Sequence, residues 1–154
     1  MRRKDREITD IQKLESIINN CDVCRVAFAN SDVPYIVTMN FGYSGGTQKR
    51  IYFHCANDGR KLDMIRNNDY VCFEFDTDHI LHKGNMACDF GMSFSSVVGY
   101  GHITIVIEPE ERISGFNHIM SHYAGKGEFN YDQKVMERTL VLRLDIMEMT
   151  GKVK

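Results

Sequence analysis

The sequence predicts a mainly β protein, a small antiparallel β-barrel with α additions. Three observations predict it. The 154 residues fit one domain, 1–154, with one hydrophobic core. Six or seven apolar or alternating runs have the length and composition of strands. Turn residues, rather than regular helical crossovers, separate most neighbouring runs, which favours hairpins over parallel strands.

The first half of the chain contains one predicted helix and three predicted strands. Thr9 and Gln12 are spaced as a capping box, and apolar residues then recur at helical spacing as far as Asn19. The runs that follow are rich in β-branched and aromatic residues and are bounded by turn residues. These elements are a helix at 11–20, strands at 23–29, 35–41 and 50–55, and turns at 30–32 and 44–47.

The second half contains two predicted helices and three predicted strands. Gly99 and Gly101 interrupt a run rich in Val and Ile, which predicts one strongly bent strand or two strands joined at a bulge. Residues 77–91 are polar and have no period, which predicts a functional or mobile loop. The elements of this half are helices at 60–68 and 109–125, strands at 70–76, 93–107 and 139–147, and the loop at 77–91.

Alternation along two of these strands separates polar from apolar side chains. In 35–41 one face carries Tyr35, Val37, Met39 and Phe41, and the other carries Ile36, Thr38 and Asn40. In 50–55 one face carries Ile51, Phe53 and Cys55, and the other carries Tyr52 and His54. We therefore expect His54 to point outward from the barrel, beside Thr38 and Asn40.

The stretch that joins the third strand to the second helix has the pattern of an anion site. Gly59 allows a close turn, and Arg60 and Lys61 place two cations in the first helical turn. Free backbone N–H groups and the positive end of the helix dipole favour a phosphate at this position. The alternative is that both cations are solvated and Gly59 is an ordinary turn residue.

Composition limits the partners and the compartment. Lys plus Arg number 19 and Asp plus Glu number 21, so the net charge of -2 gives no basic field for nucleic acid or an anionic membrane surface. No apolar run reaches the roughly 18 residues that span a bilayer, which predicts a cytoplasmic protein with no membrane partner. The five cysteines are an odd number spread along the chain, which predicts reduced thiols.

Several Cys and His residues have spacings that metal ligands also use, but they favour structural roles. Cys21 and Cys24 form a lone C-x-x-C without a second pair, which predicts packed thiols and no metal. His118 and His122 lie opposite the predicted apolar stripe of their helix, which indicates a solvated face. His79 and His82 fall in the predicted loop and are expected to be exposed. The stripe consists of Ile113, Phe116, Ile119, Met120 and Tyr123.

Six ordered blocks resemble a known family. They are CRVAF, PYIVTMNFGY, IYFHCANDGRKLDMIRNN, VCFEFD, SFSSVVGYG and MTGK, and they extend from Cys24 to Lys152. In order and spacing they resemble the pyridoxamine 5'-phosphate oxidase-like split-barrel flavoproteins, and most closely the nitroimidazole-resistance (Nim-type) branch. The resemblance implies a six- to seven-stranded split barrel of Greek-key type. It also implies a homodimer that binds FMN in clefts at the subunit interface, outside the barrels.

The same resemblance implies roles for particular residues. Arg60 and Lys61 would hold the FMN phosphate. Thr38, Met39 and Asn40 would line the flavin ring, and Ser96 would also meet the cofactor. His54 would lie near the ring as the catalytic residue that supplies or orients a proton, since the unperturbed pKa of His lies near neutrality.

Two departures from the family pattern bear on the activity. Oxidases of pyridoxamine phosphate carry Gln and Arg where this chain has Ser95-Ser96-Val97-Val98, and this chain has no Trp, so vitamin B6 oxidation is not expected. The Nim-type pattern usually has Pro at the position of Thr38. The function implied is electron transfer from NAD(P)H through FMN to a small acceptor such as a nitroaromatic. A haem-binding split barrel and a flavin-binding protein without turnover are the alternatives.

Overall fold

The computed structural model describes residues 3–30 and 33–154. Its helices are α1 (Ile11–Asn19), α2 (Arg60–Asn67), α3 (Pro109–Ala124) and α4 (Gln133–Glu137). Its strands are β1 (Glu7–Ile8), β2 (Cys24–Asn30), β3 (Val33–Met39), β4 (Phe41–Ser44), β5 (Arg50–Ala56), β6 (Tyr70–His82), β7 (Gly91–Ile105) and β8 (Thr139–Val153). The predicted turn at 30–32 falls partly outside the described residues. No helix in the described ranges is both long and apolar enough to cross a membrane.

The strands form one antiparallel sheet in the order β3-β2-β6-β7-β8-β5-β4, and β1 is added to β8. Strands β6, β7 and β8 are consecutive neighbours, and β5 returns to lie beside β8, which is the Greek-key arrangement. The predicted antiparallel, mainly β fold is therefore confirmed. The described residues contain eight strands because β1 and β4 are short segments that the sequence pattern did not separate.

The two ends of the sheet meet at a seam without strand pairing. Strands β3 and β4 lie at opposite ends of the strand order, yet Asn40 is the only residue between them. The sheet must therefore curl until its edges are one residue apart, and the barrel stays split along this line. The predicted single strand at 35–41 is two strands for the same reason, since the chain leaves one edge at Met39 and joins the other at Phe41.

The barrel interior is filled by the apolar faces of the strands. Tyr35, Val37 and Met39 pack inward from β3, as alternation predicts, and α1 closes one end of the barrel. The largest fully buried side chains are Phe28, Phe41, Phe53, Phe73, Phe75, Leu14, Ile18, Ile51, Leu62, Ile103, Leu142 and Leu144. Burial of each such side chain stabilises the fold by about 1.5 to 3 kcal/mol relative to exposure.

Two features of the barrel ends differ from the sequence prediction. The capping box at Thr9 and Gln12 is wrong: Asp10 is the N-cap of α1, and its carboxylate accepts a hydrogen bond from the Lys13 amide at 2.9 Å. The last strand also continues beyond the predicted residue 147 to Val153, because β7 and β1 pair with its second half.

The predicted irregular loop at 77–91 is wrong for its first part. Strand β6 continues to His82 and β7 begins at Gly91, so residues 77–82 and Gly91 belong to a hairpin arm and the loop is limited to 83–90. A bulge between Thr77 and Ile80 shifts the register, and Asp78 in that bulge has φ of 58°. The bulge breaks the alternation on which strand prediction depends, and both faces of the arm are largely exposed. The alternation of apolar and polar residues is therefore lost in this part of the sequence, although β6 and β7 continue to pair.

Helix α3 covers the outside of β4 and β5. Ile119 and Phe116 of the predicted stripe pack inward, whereas Ile113 is 46% exposed, and the inward face includes the two histidines. His118 stacks on Tyr52 with centroids 5.2 Å apart, and His122 lies 4.2 Å from the ring of Phe41. The prediction of a solvated histidine face is therefore wrong. The cause is the absence of a side chain at Gly42. A Cβ atom there would lie 2.3 Å from the backbone of His118, so glycine allows α3 to pack very close to β4.

Candidate functional site

An open groove of about 350 Å³ lies beside the seam. The end of β3 forms one wall, the end of β5 forms the other, and the first turn of α2 closes it. These elements meet because the sheet curls and brings β3 close to β5, although the two strands are far apart in strand order. The lining residues are Val37, Thr38, Met39, Asn40, His54, Cys55, Ala56, Lys61 and Thr139.

The groove brings together Thr38, Asn40 and His54, as the alternation of their strands predicts. Met39 also lines the groove but is 7% exposed, so it belongs mainly to the core beneath it. The Asn40 amide forms no hydrogen bond to any residue in the described ranges. An Asn amide carries two donors and an acceptor, and here they are directed to solvent or to a ligand.

His54 is open to solvent through the mouth of the groove, while the surrounding walls reduce its hydration. This partial burial and the charge of nearby Lys61 lower the pKa of the imidazole below its usual value. Near neutral pH the ring is therefore largely uncharged. In that state one nitrogen can accept a proton and the other can donate one.

The start of α2 has the geometry that an anion site requires. Gly59 is the N-cap residue with φ of 134°, a value that L side chains rarely adopt, and it offers no side chain to cap the helix. Its carbonyl accepts from the Leu62 amide at 2.9 Å, while the preceding amides of the first turn lie at the positive end of the helix. Lys61 lines the groove from this turn.

The two predicted phosphate-binding cations have different positions. Lys61 faces the groove, whereas the Arg60 guanidinium lies over the ring of Tyr35 at 4.5 Å from the centroid. Arg60 is thus beside β3, at the edge of the groove and not among the residues that line it. A cation stacked on a solvent-accessible ring is held weakly, so Arg60 can change rotamer at low cost.

Ser96 does not reach the groove of its own chain. It lies on β7, paired with Asp76 of β6 and Lys152 of β8. Two strands, β2 and β6, separate it from β3 and Thr38. At about 4.8 Å per strand the separation is roughly 14 Å across the outer face of the sheet. One chain therefore does not bring Ser96 to the other predicted site residues.

Four groove residues were not predicted as site residues from the sequence: Val37 of β3, Cys55, Ala56 and Thr139. Cys55 and Ala56 end β5, and Thr139 begins β8 opposite Ala56. Burial raises the pKa of the Cys55 thiol, which keeps it protonated at neutral pH. Only the register between β5 and β8 could have identified Thr139, and that register is a tertiary property.

The other cysteines and histidines lie away from the groove. Cys21 and Cys24 are 2% and 0% exposed, and burial raises the pKa of Cys21 to about 12, so both are packed thiols as predicted. His79 contacts Asp76 at 2.9 Å, and His82 is within hydrogen-bond distance of Ser93 on the exposed arm. No group of three potential metal ligands occurs in the described ranges.

A larger cavity of about 610 Å³ lies between α1 and the strands β5 and β8. Its two arginines are already paired: Arg50 donates to Asp145 at 3.0 Å, and Arg143 donates to Asp145 at 2.9 Å and to Glu111 at 2.9 Å. These contacts leave the guanidinium groups with little capacity for a ligand. In the smaller groove, the side chains of Asn40, His54 and Lys61 form no hydrogen bond to any residue of the described ranges, so this groove is the candidate site.

Comparison with known proteins agrees with this geometry. The sequence pattern of the family described as pyridoxamine 5'-phosphate oxidase matches residues 10–153. A candidate 5-nitroimidazole antibiotic resistance protein of known crystal structure, from Bacteroides thetaiotaomicron, is 32% identical. The two folds superpose with a TM-score of 0.82, over 96% of this chain and 86% of that one.

More distant structures share the fold. A flavocytochrome from Azotobacter vinelandii is 18% identical with a TM-score of 0.82, and the match covers 100% of this chain and 72% of that one. An FAD-binding protein from Mesorhizobium loti is 19% identical with a TM-score of 0.68, covering 97% of each chain. A comparison with curated proteins found no match.

The family pattern spans nearly the whole chain, from residue 10 to residue 153, and the split barrel agrees with it. The ordered blocks from CRVAF to MTGK lie within that span. The resemblance seen in the sequence is therefore confirmed, and the chain belongs to the pyridoxamine 5'-phosphate oxidase family.

Proposed function

We propose that this protein is an FMN-dependent oxidoreductase that takes electrons from NAD(P)H and passes them to a small organic acceptor such as a nitroaromatic. The observation that carries the proposal is the seam groove, which joins the polar face of Thr38, Asn40 and His54 to the N-terminus of α2 and Lys61. A phosphate group and a polar ring system on one molecule match the two ends of this groove.

The phosphate end of the groove offers the donors that bind an anion. Amide groups of the first turn of α2 and the Lys61 ammonium would bind the phosphate of FMN. Arg60 would leave the face of Tyr35 and add a second charge. Because Gly59 has no side chain, the phosphate would approach the helix end closely.

The ring end of the groove offers hydrogen bonds and an apolar floor. Asn40 has free amide donors and a free acceptor for the polar edge of the flavin, and Thr38 adds a hydroxyl. Met39 and Val37 would support the ring from below, since both pack against the core. FMN, when bound, supplies the redox chemistry, and the protein supplies its position and surroundings.

His54 has a separate role in this proposal. Its lowered pKa keeps it neutral at physiological pH, so its ring can donate a hydrogen bond to the acceptor or exchange a proton with it. Its position at the mouth of the groove is open to a small molecule. The absence of Trp and of the Gln and Arg pair at Ser95 and Ser96 is the reason that vitamin B6 oxidation forms no part of the proposal.

A homodimer is part of the same proposal. The outer face of β3, β2, β6 and β7 holds a shallow groove of about 320 Å³ with an apolar centre at Ala27, Ile36, Cys72 and Val98. Ile36 is 63% exposed and lies beside the other apolar side chains of this groove, so the face carries a contiguous apolar patch. Thr38 lies on this face beyond Ile36, so a second copy covering the face would border the cofactor groove and would bring its own Ser96 toward it.

The similar proteins support the class of activity. The 32% identical protein from Bacteroides thetaiotaomicron is described as a candidate 5-nitroimidazole antibiotic resistance protein, which supports a nitroaromatic acceptor. The proteins from Azotobacter vinelandii and Mesorhizobium loti are described as a flavocytochrome and an FAD-binding protein, which supports a flavin. Five unpaired cysteines favour the cytoplasm as the compartment.

The first experiment is a visible absorption spectrum of the purified protein, with the released cofactor identified by chromatography. A flavin spectrum with FMN released, followed by nicotinamide-driven reduction of a nitroaromatic, would support the proposal. Release of FAD would change the assigned cofactor from FMN to FAD. A Soret band would contradict the proposal and support the haem-binding alternative. A colourless protein that takes up no added FMN would refute it.

A matched pair of variants tests the phosphate end. Lys61→Met removes one charge from the groove and keeps the stem of the side chain, so FMN should bind at least about 10-fold more weakly. Lys126→Met removes a charge from the exposed segment after α3 and should leave the Kd unchanged. Fluorescence titration with FMN measures both. Equal affinities for the two variants would contradict the phosphate site.

A further inference from the structure

A single hydroxyl connects the two edges of the split barrel. The Phe41 amide, at the start of β4, donates to Oη of Tyr123 at 3.2 Å. The same hydroxyl donates its own proton to the carbonyl of Asp22 at 2.6 Å. Tyr123 lies near the C-terminal end of α3, so a helix outside the sheet supplies this link.

The two partners of this hydroxyl belong to opposite sides of the seam. Asp22 lies two residues before Cys24, the first residue of β2, and Cys24 pairs with Met39 at the end of β3. Phe41 pairs with Phe53 and so belongs to the β4 and β5 side. Strands β3 and β4 do not pair with each other in the described sheet. The Tyr123 hydroxyl therefore bridges a gap that backbone pairing leaves open.

The neighbouring side chain holds the end of α3 in place. The Nε2–H group of His122 donates to the carbonyl of Cys21 at 2.8 Å, which fixes that tautomer. The His122 ring also lies 4.2 Å from the Phe41 ring. Helix α3 approaches β4 most closely at Gly42, the next residue along the strand. Tyr123 is thus presented to the seam by a firmly packed helix.

Asn40 is the residue that depends on this bridge. Its own amide has no partner in the described ranges, so its position is set by Met39 on one side and Phe41 on the other. Met39 is held by β3 and by burial, and Phe41 is held by burial and by its pairing with Phe53, while its amide on the seam side donates to Tyr123. We propose that Tyr123 is a positioning residue for the cofactor: its hydroxyl fixes the backbone at Phe41 and thereby aims Asn40 into the groove. This inference rests on the proposed flavin function.

The test is a double-mutant cycle on FMN binding. Tyr123→Phe removes only the hydroxyl and should weaken FMN binding about 5-fold, because a fixed donor becomes mobile. In the background of Asn40→Ala the same substitution should change the Kd less than about 2-fold, since its effect passes through Asn40. The absorption maximum of bound flavin in Tyr123→Phe should shift toward that of Asn40→Ala.

Tyr131→Phe is the matched control. Its hydroxyl donates to Asn117 at 2.8 Å, on another part of α3, so the substitution also removes one hydroxyl and one hydrogen bond. It should leave FMN affinity and the flavin spectrum unchanged. Melting temperatures of the two Phe variants separate a general loss of stability from the predicted local effect.

Hydrogen exchange of the backbone amides in the wild-type protein tests the inference without any substitution. The Phe41 amide should be protected because it donates to the Tyr123 hydroxyl at 3.2 Å, and an unprotected amide would overturn the inference. Unchanged FMN affinity in Tyr123→Phe, with wild-type protein that binds FMN, would also overturn it and leave the proposed function intact. Wild-type protein that binds no FMN would instead refute the proposed function itself.

Discussion

At the scale of single residues, the pKa of His54 depends on the geometry of the groove and can be measured by titration. Two causes lower its pKa: partial burial first, and the charge of Lys61 second. The residue pairs across β5 and β8 with Val141, so its backbone is fixed while the ring faces the groove. The ring is thus held in an environment that keeps it neutral near pH 7.

We predict that Lys61→Met raises the pKa of His54 toward the usual value near 6.5, because the cationic neighbour that disfavours the imidazolium is gone. The pKa should stay below that value, since the burial remains. A pH titration of the His54 ring protons by NMR measures the change. Lys126→Met is the control and should leave the titration curve in place. A pKa that falls in Lys61→Met would contradict the assigned cause.

Gly42 is the residue on which the packing of α3 depends. A Cβ atom at this position would lie 2.3 Å from backbone atoms of His118 and Ile119, closer than real contacts allow. Backbone atoms of a packed helix cannot move aside as the end of a flexible side chain can. The requirement at this position is for space, since the backbone of Gly42 does not have a positive φ.

We predict that Gly42→Ala lowers the free energy of unfolding by about 2 to 3 kcal/mol, because the helix must move away from the sheet. Gly127→Ala is the matched control: its Cβ atom meets nothing within 4 Å, and the expected change is below about 0.5 kcal/mol. Urea denaturation followed by circular dichroism measures both. Similar midpoints for the two variants would show that α3 does not pack on β4 as described.

At the scale of elements, helix α3 is attached to the barrel at both ends. Near its C-terminal end, His122 and Tyr123 bind the segment before β2 and the start of β4. Near its N-terminal end, Glu111 accepts two hydrogen bonds from Arg143 of β8, at 2.9 and 3.1 Å. Both side chains of this pair are about one quarter exposed, so the solvent screens the pair only in part.

We predict that Glu111→Gln destabilises the protein by about 1 to 2 kcal/mol, because it removes a charge-assisted pair in which one Arg143 nitrogen donates to both carboxylate oxygens. Glu110→Gln, in the same helical turn, loses the same favourable interaction with the helix dipole but no partner. Thermal unfolding of the two variants at low salt isolates the ion pair. A larger loss in Glu110→Gln would contradict the assignment.

The hairpin arm of β6 and β7 shows why element prediction failed in one place. Alternation is visible in a sequence only where one face is buried, and residues 78–82 of the arm are exposed. Asp78, with its positive φ, shifts the phase of the strand as well. The bend of β7, by contrast, was predicted correctly from Gly99 and Gly101. Both positions require glycine, because Phe73 and Asp145 leave no room there for a Cβ atom.

At the scale of the whole molecule, pH should act on stability through the two histidines whose pKa is lowered. Burial lowers the pKa of His118 as well as that of His54. Below about pH 6.5 the unfolded chain binds protons that the folded chain still excludes. The free energy of unfolding should therefore fall as the pH decreases from 6.5, until the folded histidines also become protonated.

We predict that His118→Phe reduces this slope between about pH 6.5 and 5.5, since the ring stacked on Tyr52 is kept and its titration is removed. Urea unfolding at pH 7.5, 6.5 and 5.5 measures the slope in both proteins. The comparison uses slopes, so a constant loss of stability in the variant does not affect it. A slope equal to that of the wild type would contradict the prediction.

The proposed homodimer gives a prediction at the same scale. Val98→Glu places a charge in the apolar groove on the outer face of β7, where Val98 is 39% exposed, and should shift the protein from the mass of two chains to that of one. FMN affinity should fall with it. Ile107→Glu changes an aliphatic side chain that is 82% exposed elsewhere and should leave the mass unchanged. Sedimentation analysis of both variants distinguishes a dimer on this face from a dimer on another.

The sequence determined the class of fold and the local geometry of the candidate site. Alternation in β3 and β5 put Thr38, Asn40 and His54 on outward faces, because side chains of a strand alternate regardless of its neighbours. Gly59 with its adjoining cations marked the start of α2, because a positive φ and a helix N-terminus are local requirements. The ordered family blocks specified the same barrel that the strands form.

Only the tertiary structure determined how these strands and the helix are arranged around the candidate site. The break at Asn40, the inward face of α3 and the register that adds Thr139 depend on which strands become neighbours, and no local pattern encodes that choice. Ser96 and Thr38 are three strand spacings apart, roughly 14 Å across the sheet, because two strands intervene, and the spacing of residues in the sequence does not reveal this separation. The residues of the candidate site could be identified from the sequence, but the distances between them depend on how the sheet curls around its seam.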